Sequence, residues 1–573
     1  MKFKEFAGYL ENLENTSSRI EMTKILASLF KKCDSSEIDK VIYLSLGGLA
    51  ASYREIVFNI AEKMMVRVIS EAYSQEQSVV VKEYKKLGDL GAVAQEFAKQ
   101  KKIQGKELKV VDLYDRLVEV ARDEGEGSQE RKVKKLAGLL KELDANSVRF
   151  VARIPVGKLR LGFSDKTIID ALSWMEKGDK SLSGKIERVY QVVPDVGLLA
   201  KNIKTHGILR ALKNPTPEIG TPVAPMLAQR LKSPGDMIKK MGKVAVEPKL
   251  DGLRLSIHFK RGKNGFVKAY TRNMNETSWM FPELASIGQD LSANEVILDS
   301  EAVGLNEDTK KMANFQTTMT RRRKHDIAGF AKKTSIRFFV FDILYKNGKN
   351  LMDEPYIKRR EYLKSSVKGE KILRLVENKI TDDPKVINRE YKDKINEGLE
   401  GVVVKKIDAR YVPGRTGFRW VKMKQVESSY AKLKDTIDCV VMGYTVGKGK
   451  RAQFGVGQFL VGVVDGGKIK TTTKIGTGLR DEQFRELKKR LSEIEVTQKP
   501  KNYVVDKIYT PDFWVEPSLV VEIAADEISV SPTHSAGLAL RFPRLIKFRD
   551  DKSWDEATTQ KELKNLYKLQ KGN

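Results

Sequence analysis

The run Glu247-Pro248-Lys249-Leu250-Asp251-Gly252-Leu253-Arg254 sets a lysine where a strand-like stretch ends. A turn dipeptide follows two residues later, and an arginine five residues later. An amine held at a strand end is a candidate nucleophile. At its ordinary pKa of roughly 10.4, only about one lysine in a thousand is deprotonated near neutrality, so a free amine costs about 4 kcal/mol. Neighbouring cations oppose the charged form and lower that cost. Arg254 would do this for Lys249. The competing reading of Lys-x-Asp-Gly is a plain hairpin turn, because Asp-Gly is a favoured turn dipeptide. The tetrapeptide alone does not separate the two.

Six further stretches follow in order: Thr271-Arg272-Asn273, Leu298-Asp299-Ser300-Glu301-Ala302-Val303, Phe339-Val340-Phe341-Asp342-Ile343-Leu344, Glu400-Gly401-Val402-Val403-Val404-Lys405, Trp420-Val421-Lys422-Met423-Lys424 and Arg549-Asp550-Asp551-Lys552. With the lysine run, their order and spacing resemble the nucleotidyltransferase superfamily of DNA ligases, RNA ligases and mRNA capping enzymes. Gly157-Lys158-Leu159-Arg160-Leu161-Gly162 and Leu540-Arg541-Phe542-Pro543-Arg544 extend the likeness to both ends of the chain. They are similar to the DNA-binding and OB domains of archaeal and eukaryotic ligases. The whole chain therefore resembles a three-domain, ATP-dependent DNA ligase of archaeal type.

That resemblance implies three phosphoryl-type transfers, in which a protein mainly positions groups and neutralises charge. Lys249 would attack the α-phosphate of ATP and expel pyrophosphate, leaving a phosphoramidate. AMP would pass to the 5′-phosphate of a nick, and the 3′-hydroxyl would displace it. Glu247 would read the adenine amino group and Phe341 stack on the ring. Glu301 would hold the ribose or a metal, and Glu400 the metal. Arg254, Arg272, Arg415, Lys422 and Lys424 would bind the nucleotide, while Arg549 and Lys552 orient pyrophosphate. Lys158, Arg160 and Phe542 would touch DNA. ATP and Mg²⁺ are the implied cofactors, with Mn²⁺ as a substitute. The implied partner is nicked duplex DNA, in replication, repair and recombination, bound by a monomer.

Taken without the resemblance, Phe341 also reads as a core residue of an apolar strand, and Glu301 and Glu400 as solvated strand ends. One departure concerns the phosphate-binding arginine. Relatives carry it six residues before the first lysine of the fifth motif, where this chain has Thr416. Arg415 is the expected substitute and Arg419 its competitor. A sliding clamp is a partner by family analogy alone, since Gln104-Gly105-Lys106-Glu107-Leu108 lacks the aromatic pair of a clamp motif.

Composition bounds these readings. A net charge of +29 over 573 residues suggests a polyanionic partner. Cys33 and Cys439 are the only cysteines, too few for the four-cysteine zinc module usual in NAD-dependent ligases. No P-loop occurs. The N-terminus lacks a signal peptide's apolar stretch, and no run approaches the roughly 20 apolar residues of a membrane span. A cytoplasmic, nucleoid-associated protein is expected. Capping enzymes lack a long helical N-terminal domain. An RNA ligase of the same superfamily and a catalytically inactive clamp or scaffold are the alternatives.

The elements that must position these residues follow from periodicity. Helical spacing dominates the first two hundred residues, for example Ile56, Ile60, Met64, Val68 and Ala72. Pro215, Pro217, Pro222 and Pro225 then mark an extended boundary. Short β-branched strands follow, and beyond residue 430 strands alternate with glycine turns, the rhythm of a small barrel. The expected fold is multidomain α and α+β. It comprises an all-helical DNA-binding domain (1–215), an α+β nucleotidyltransferase (ATP-grasp-like adenylation) domain (216–428) and a C-terminal OB-fold β-barrel with a final helix (429–573).

Overall fold

The computed structural model describes residues 1–573 apart from 160, 214, 232, 306–334, 415–416, 425–434, 448–450, 452–453 and 572–573. The chain divides into two compact units. One comprises Met1–Phe58, Leu108–Arg122 and Leu161–Gln425. The other comprises Asn59–Glu107, Asp123–Arg160 and Val426–Asn573. Among the described residues no helix is long and apolar enough to cross a membrane.

The N-terminal part is helical, as its periodicity predicts. In the first unit the helix Arg19–Lys32 packs against Asp165–Lys177, and Ile38–Ser45 against Val196–His206. In the second unit Leu90–Gln100 packs against Ala145–Val151. The stripe beginning at Ile56 is shorter than predicted, because the helix starts only at Glu62. Glu55 and Asn59 have φ of 52° and 53°, left-handed values that cannot continue a right-handed helix.

Two mainly antiparallel sheets in the first unit carry most of the chemistry-bearing residues. The smaller contains β1 (Gln229–Arg230), β2 (Val244–Lys249), β9 (Lys379–Thr381), β10 (Gly401–Lys406) and β11 (Trp420–Lys424), in the order β1-β11-β10-β2-β9. Side chains alternate between its faces. Val244, Val246, Val402, Val404 and Val421 bury one face together with Met237, Met241 and Ile387 from two helices. The opposite face therefore presents Lys249, Glu247, Lys405, Trp420, Lys422 and Lys424. Register fixes the rows as Lys249–Gly401–Lys424 and Glu247–Val403–Lys422.

The larger sheet holds β3 (Leu253–Lys260), β4 (Phe266–Thr271), β5 (Glu295–Leu305), β6 (Ser335–Lys346), β7 (Lys349–Asn350) and β8 (Leu373–Leu375), ordered β4-β3-β5-β6-β7 with β8 beside β6. Leu255, Ile257, Leu298, Phe338 and Val340 fill its core. Arg254 lies opposite Glu301 on the other face. The proline-rich boundary segment is pinned beneath this sheet. The Gly220 N–H donates to His258 Nδ1 at 3.1 Å and the Tyr270 hydroxyl donates to the Gly220 carbonyl at 2.5 Å. Burial pushes the His258 pKa down to about 3, keeping the ring neutral as that acceptor role requires.

A curled sheet in the second unit forms around β12 (Ile437–Thr445), β13 (Gln458–Asp465), β14 (Lys468–Ile475), β15 (Glu495–Val496), β16 (Tyr503–Val504), β17 (Phe513–Val515), β18 (Val520–Ala524) and β21 (Arg544–Phe548). β12 pairs with β13, β17 and β18, which lets the sheet curl around Cys439, Val441, Val461 and Val521. Gly466 and Gly467 make the β13–β14 turn with φ of 55° and 77°, the geometry favoured in two-residue hairpins. The hairpin of β19 (Glu527–Val530) and β20 (Leu538–Arg541) and the helix Gln560–Lys571 complete this part.

Candidate active site

Both sheets of the first unit contribute to a cavity of about 910 Å³. Its lining includes Glu247, Lys249, Arg254, Arg272, Glu301, Phe341 and Lys422, seven of the residues singled out in the sequence, together with Lys405 and Trp420. Two glycines allow close packing within these sheets. A side chain on Gly252 would collide with the Ala302 carbonyl, and one on Gly401, at φ 137°, with the Met423 carbonyl. Lys249 ends β2 and forms an ion pair with Glu400, the residue immediately before β10. The nucleophile candidate thus rests on one of the two carboxylates expected to serve a metal.

Glu247 is 3% exposed and has a partner at each oxygen. The Tyr356 hydroxyl donates to Oε1 at 2.5 Å and Lys405 Nζ lies 2.6 Å from Oε2. Lys405 also donates to the Phe341 carbonyl at 3.2 Å. It sits 4.4 Å from the Trp420 ring centroid and 4.6 Å from that of Phe341. Burial lowers its pKa against the opposing pull of Glu247. Phe341 is half-buried and meets Trp420 edge-on, with centroids 5.9 Å apart. It lines the cavity and packs against an apolar cluster as well. The Trp420 indole N–H is buried with no hydrogen-bond partner among the described residues.

Arg254 is held by protein partners. Its Nε and one terminal nitrogen reach the two Asp299 oxygens at 2.9 and 2.6 Å, and the other terminal nitrogen donates to the Met226 carbonyl at 2.7 Å. Tyr411 donates to Asp299 as well, at 2.9 Å. Most of the Arg254 charge is therefore neutralised by Asp299, and its field on Lys249 is correspondingly weakened. Among the described residues Glu301 has no such bidentate partner. Burial pushes its pKa up to about 7, more than offsetting the nearby positive charges of Arg254 and Lys249. Arg272 is exposed at the cavity mouth beyond β4. Lys424 shares the Lys422 face of β11 but is not part of the lining. Arg419 lies outside the lining too, and Arg415 and Thr416 are outside the described residues.

The remaining candidates lie in the second unit. Arg549 binds Asp438 through both carboxylate oxygens at 3.0 and 2.9 Å and Asp551 at 2.8 and 2.7 Å. Lys552 also reaches Asp438, at 2.7 Å. Asp438, near the start of β12, thus gathers the two predicted pyrophosphate ligands. Phe542 is 64% exposed in the turn after β20 with φ 52°, an unfavourable conformation for a bulky residue. Lys158 lies 3.6 Å from Glu62, and Arg160 is outside the described residues.

Three family models match the chain in order. They are the DNA ligase N terminus at residues 2–173, the ATP dependent DNA ligase domain at 225–424 and the ATP dependent DNA ligase C terminal region at 452–552. A probable DNA ligase of Dictyoglomus turgidum is 41% identical, covering 100% of this chain and 98% of its own. The chain belongs to the ATP-dependent DNA ligases. The DNA ligase of Sulfolobus acidocaldarius is 35% identical over 99% of this chain and 98% of its own, so archaeal ligases are close relatives. The solved structure Pmar-Lig_PreS3 shares the fold, with a TM-score of 0.54 at 18% identity over 95% of this chain and 99% of that one.

The ligase's donor set fits the implied divalent metal. Mg²⁺ is usually held by one or two carboxylates and completed by water and substrate phosphate oxygens. Glu301 at the cavity and Glu400 on Lys249 supply two carboxylates. No group of three or more potential ligands occurs among the described residues. Asp299, Lys405 and Trp420 lay inside the motif runs, yet nothing in the sequence marked them as partners. Tyr356, Tyr411 and Asp438 carried no local signal and emerge only from the fold.

Proposed function

We propose that this ligase seals nicks bearing a 3′-hydroxyl and a 5′-phosphate in duplex DNA, with AMP carried on Lys249. The observation that supports this most is the position of Lys249. It lies at the end of β2, in the cavity wall, paired with Glu400 and facing the sheet that bears Glu301 and Arg254. Once the Lys249–Glu400 pair opens and the ammonium gives its proton to water, the amine can attack the α-phosphate with pyrophosphate as the leaving group, and the carboxylate is free to turn to the metal. Glu247 reads the adenine amino group and Phe341 stacks on the ring. Arg272, Lys422 and Lys424 meet phosphate oxygens, and Arg415 serves the phosphate in place of the missing arginine at 416. Arg254 acts mainly by holding Asp299 and the wall beside Glu301. Bound Mg²⁺, for which Mn²⁺ substitutes, would be held by Glu301 and Glu400 and would neutralise phosphate charge.

In the second unit, Arg549 and Lys552 exchange Asp438 for the departing pyrophosphate. Lys158, Arg160 and the exposed Phe542 contact DNA. The proposed domains are 1–215, 216–428 and 429–573, in line with the ranges of the family models. The enzyme acts as a cytoplasmic monomer, and a sliding clamp is a partner by analogy alone.

Lys249→Ala tests the reading. It should form no covalent AMP adduct with labelled ATP and Mg²⁺ on a denaturing gel, yet seal a chemically pre-adenylated nick at a measurable rate. An adduct persisting at full yield in this variant would refute the assignment. Wild-type labelling by GTP or NAD⁺ in place of ATP would point to a different nucleotide.

A further inference from the structure

Glu247 stands in the cavity wall, and of its two partners Lys405 belongs to a motif whereas Tyr356 does not. Tyr356 opens the helix Tyr356–Ser366, is 1% exposed and does not line the cavity. Its hydroxyl donates to Glu247 Oε1 at 2.5 Å and accepts a hydrogen bond from Asn378 Nδ2 at 3.1 Å. A phenol has one proton. With Asn378 occupying a lone pair of the oxygen, that proton has one direction left, toward the carboxylate. Burial and the adjacent Glu247 charge both raise the phenol's pKa, so it stays a donor. Lys405 holds the other oxygen, but it divides its donors between Glu247 and the Phe341 carbonyl. Tyr356 is thus the partner committed to Glu247 alone.

The consequence is chemical. A carboxylate receiving a donor at each oxygen has no proton to give, so it offers a base acceptor positions only. Adenine presents an amino donor at C6, whereas guanine presents a carbonyl acceptor at the same place. An acceptor facing an acceptor in a buried site leaves both unsatisfied. Sites built around such a hydrogen bond can discriminate by roughly 10⁴–10⁵.

We propose that Tyr356, braced by Asn378, is a specificity-determining positioning residue that fixes Glu247 as an acceptor and so confines the ligase to adenine nucleotides. This rests on the reading that Glu247 faces the base. The test measures enzyme–nucleotide adduct formation with α-labelled ATP and GTP over a range of concentrations. Tyr356→Phe keeps the ring and removes the hydroxyl. It should lower the ATP/GTP ratio of kcat/KM at least tenfold, carried by a higher KM for ATP and by new labelling with GTP. Asn378→Ala should shift the ratio in the same direction by less, and it reports independently should the Tyr356 variant fold poorly. Glu247→Gln, which both donates and accepts, should collapse the ratio further than either. Were the phenol only a packing group, Tyr356→Phe and Asn378→Ala would change both nucleotides equally and leave the ratio intact. That result, with Glu247→Gln still altering the ratio, overturns the role of Tyr356 and leaves the adenine contact standing. An unaltered ratio in Glu247→Gln overturns both.

Discussion

Replacing Glu301 by Gln should stabilise the nucleotide-free and metal-free protein above neutral pH while impairing nucleotide use. The Glu301 carboxyl is pushed up to about 7 from an ordinary value of 4.5, chiefly by burial. Between those values the folded state binds more of a proton than the unfolded state, so stability falls as pH rises through this window. Below about pH 4.5 the acid is neutral in both states and imposes no penalty. Above about pH 7 the full cost is present, on the order of 3 kcal/mol at 1.36 kcal/mol per pH unit. Glutamine keeps the shape without the charge, so the gain should appear only in the upper range. For a domain of roughly 200 residues, each kcal/mol moves the midpoint by about 2–4 °C. Melting curves in EDTA at pH 5 and pH 8 would show a midpoint advantage of several degrees for Glu301→Gln at pH 8, shrinking toward zero at pH 5. An advantage equal at both pH values, or a loss at pH 8, would refute the reasoning.

Arg549→Ala combined with Lys552→Ala should slow AMP loading at least tenfold, yet seal pre-adenylated nicks at close to the parental rate. Equal losses in the two assays would mark the Asp438 cluster as structural. Arg359 forms a fully buried bidentate pair with Asp342 at 2.8 Å, so Arg359→Leu would strand a charge and cost roughly 3–5 kcal/mol in urea unfolding. A cost below about 1 kcal/mol would contradict that. A chain starting near Thr221 retains every nucleotidyl-transfer motif and should still load AMP. It should seal nicks poorly at about 150 mM salt and recover partly at low salt, because each lost phosphate contact removes roughly 0.9 from the log–log salt slope. Equal sealing by full and shortened chains across the salt range would refute DNA binding by the helical region.

Much of the candidate site was legible because strand alternation is local. Glu247, Lys249, Lys422 and Lys424 share a face through a period of two, and residue types at that spacing declare a polar face opposite Val244, Val246, Val402 and Val421. The close backbone approaches at Gly252 and Gly401 emerge only from the fold. Pairing was not legible. Arg254 could be placed near the nucleophile by spacing, but its commitment to Asp299 depends on the register of β3 against β5, 45 residues away. Asp438 and Arg549, 111 residues apart, meet only because β12 and β21 both pair with β18 and the segment after β21 returns to the start of β12. The false helical start at Ile56 has the opposite cause. Its apolar spacing was right, but two left-handed residues override it.

The central claim is that AMP rides on Lys249, and mapping the modified residue tests it most directly. The full-length ligase would be incubated with ATP and Mg²⁺, digested under conditions that spare an acid-labile phosphoramidate, and analysed by tandem mass spectrometry. The account predicts AMP on the peptide spanning Glu247–Arg254, with fragment ions assigning it to the Lys249 side chain. AMP on Lys405, Lys422 or any other residue, with Lys249 unmodified, would contradict it.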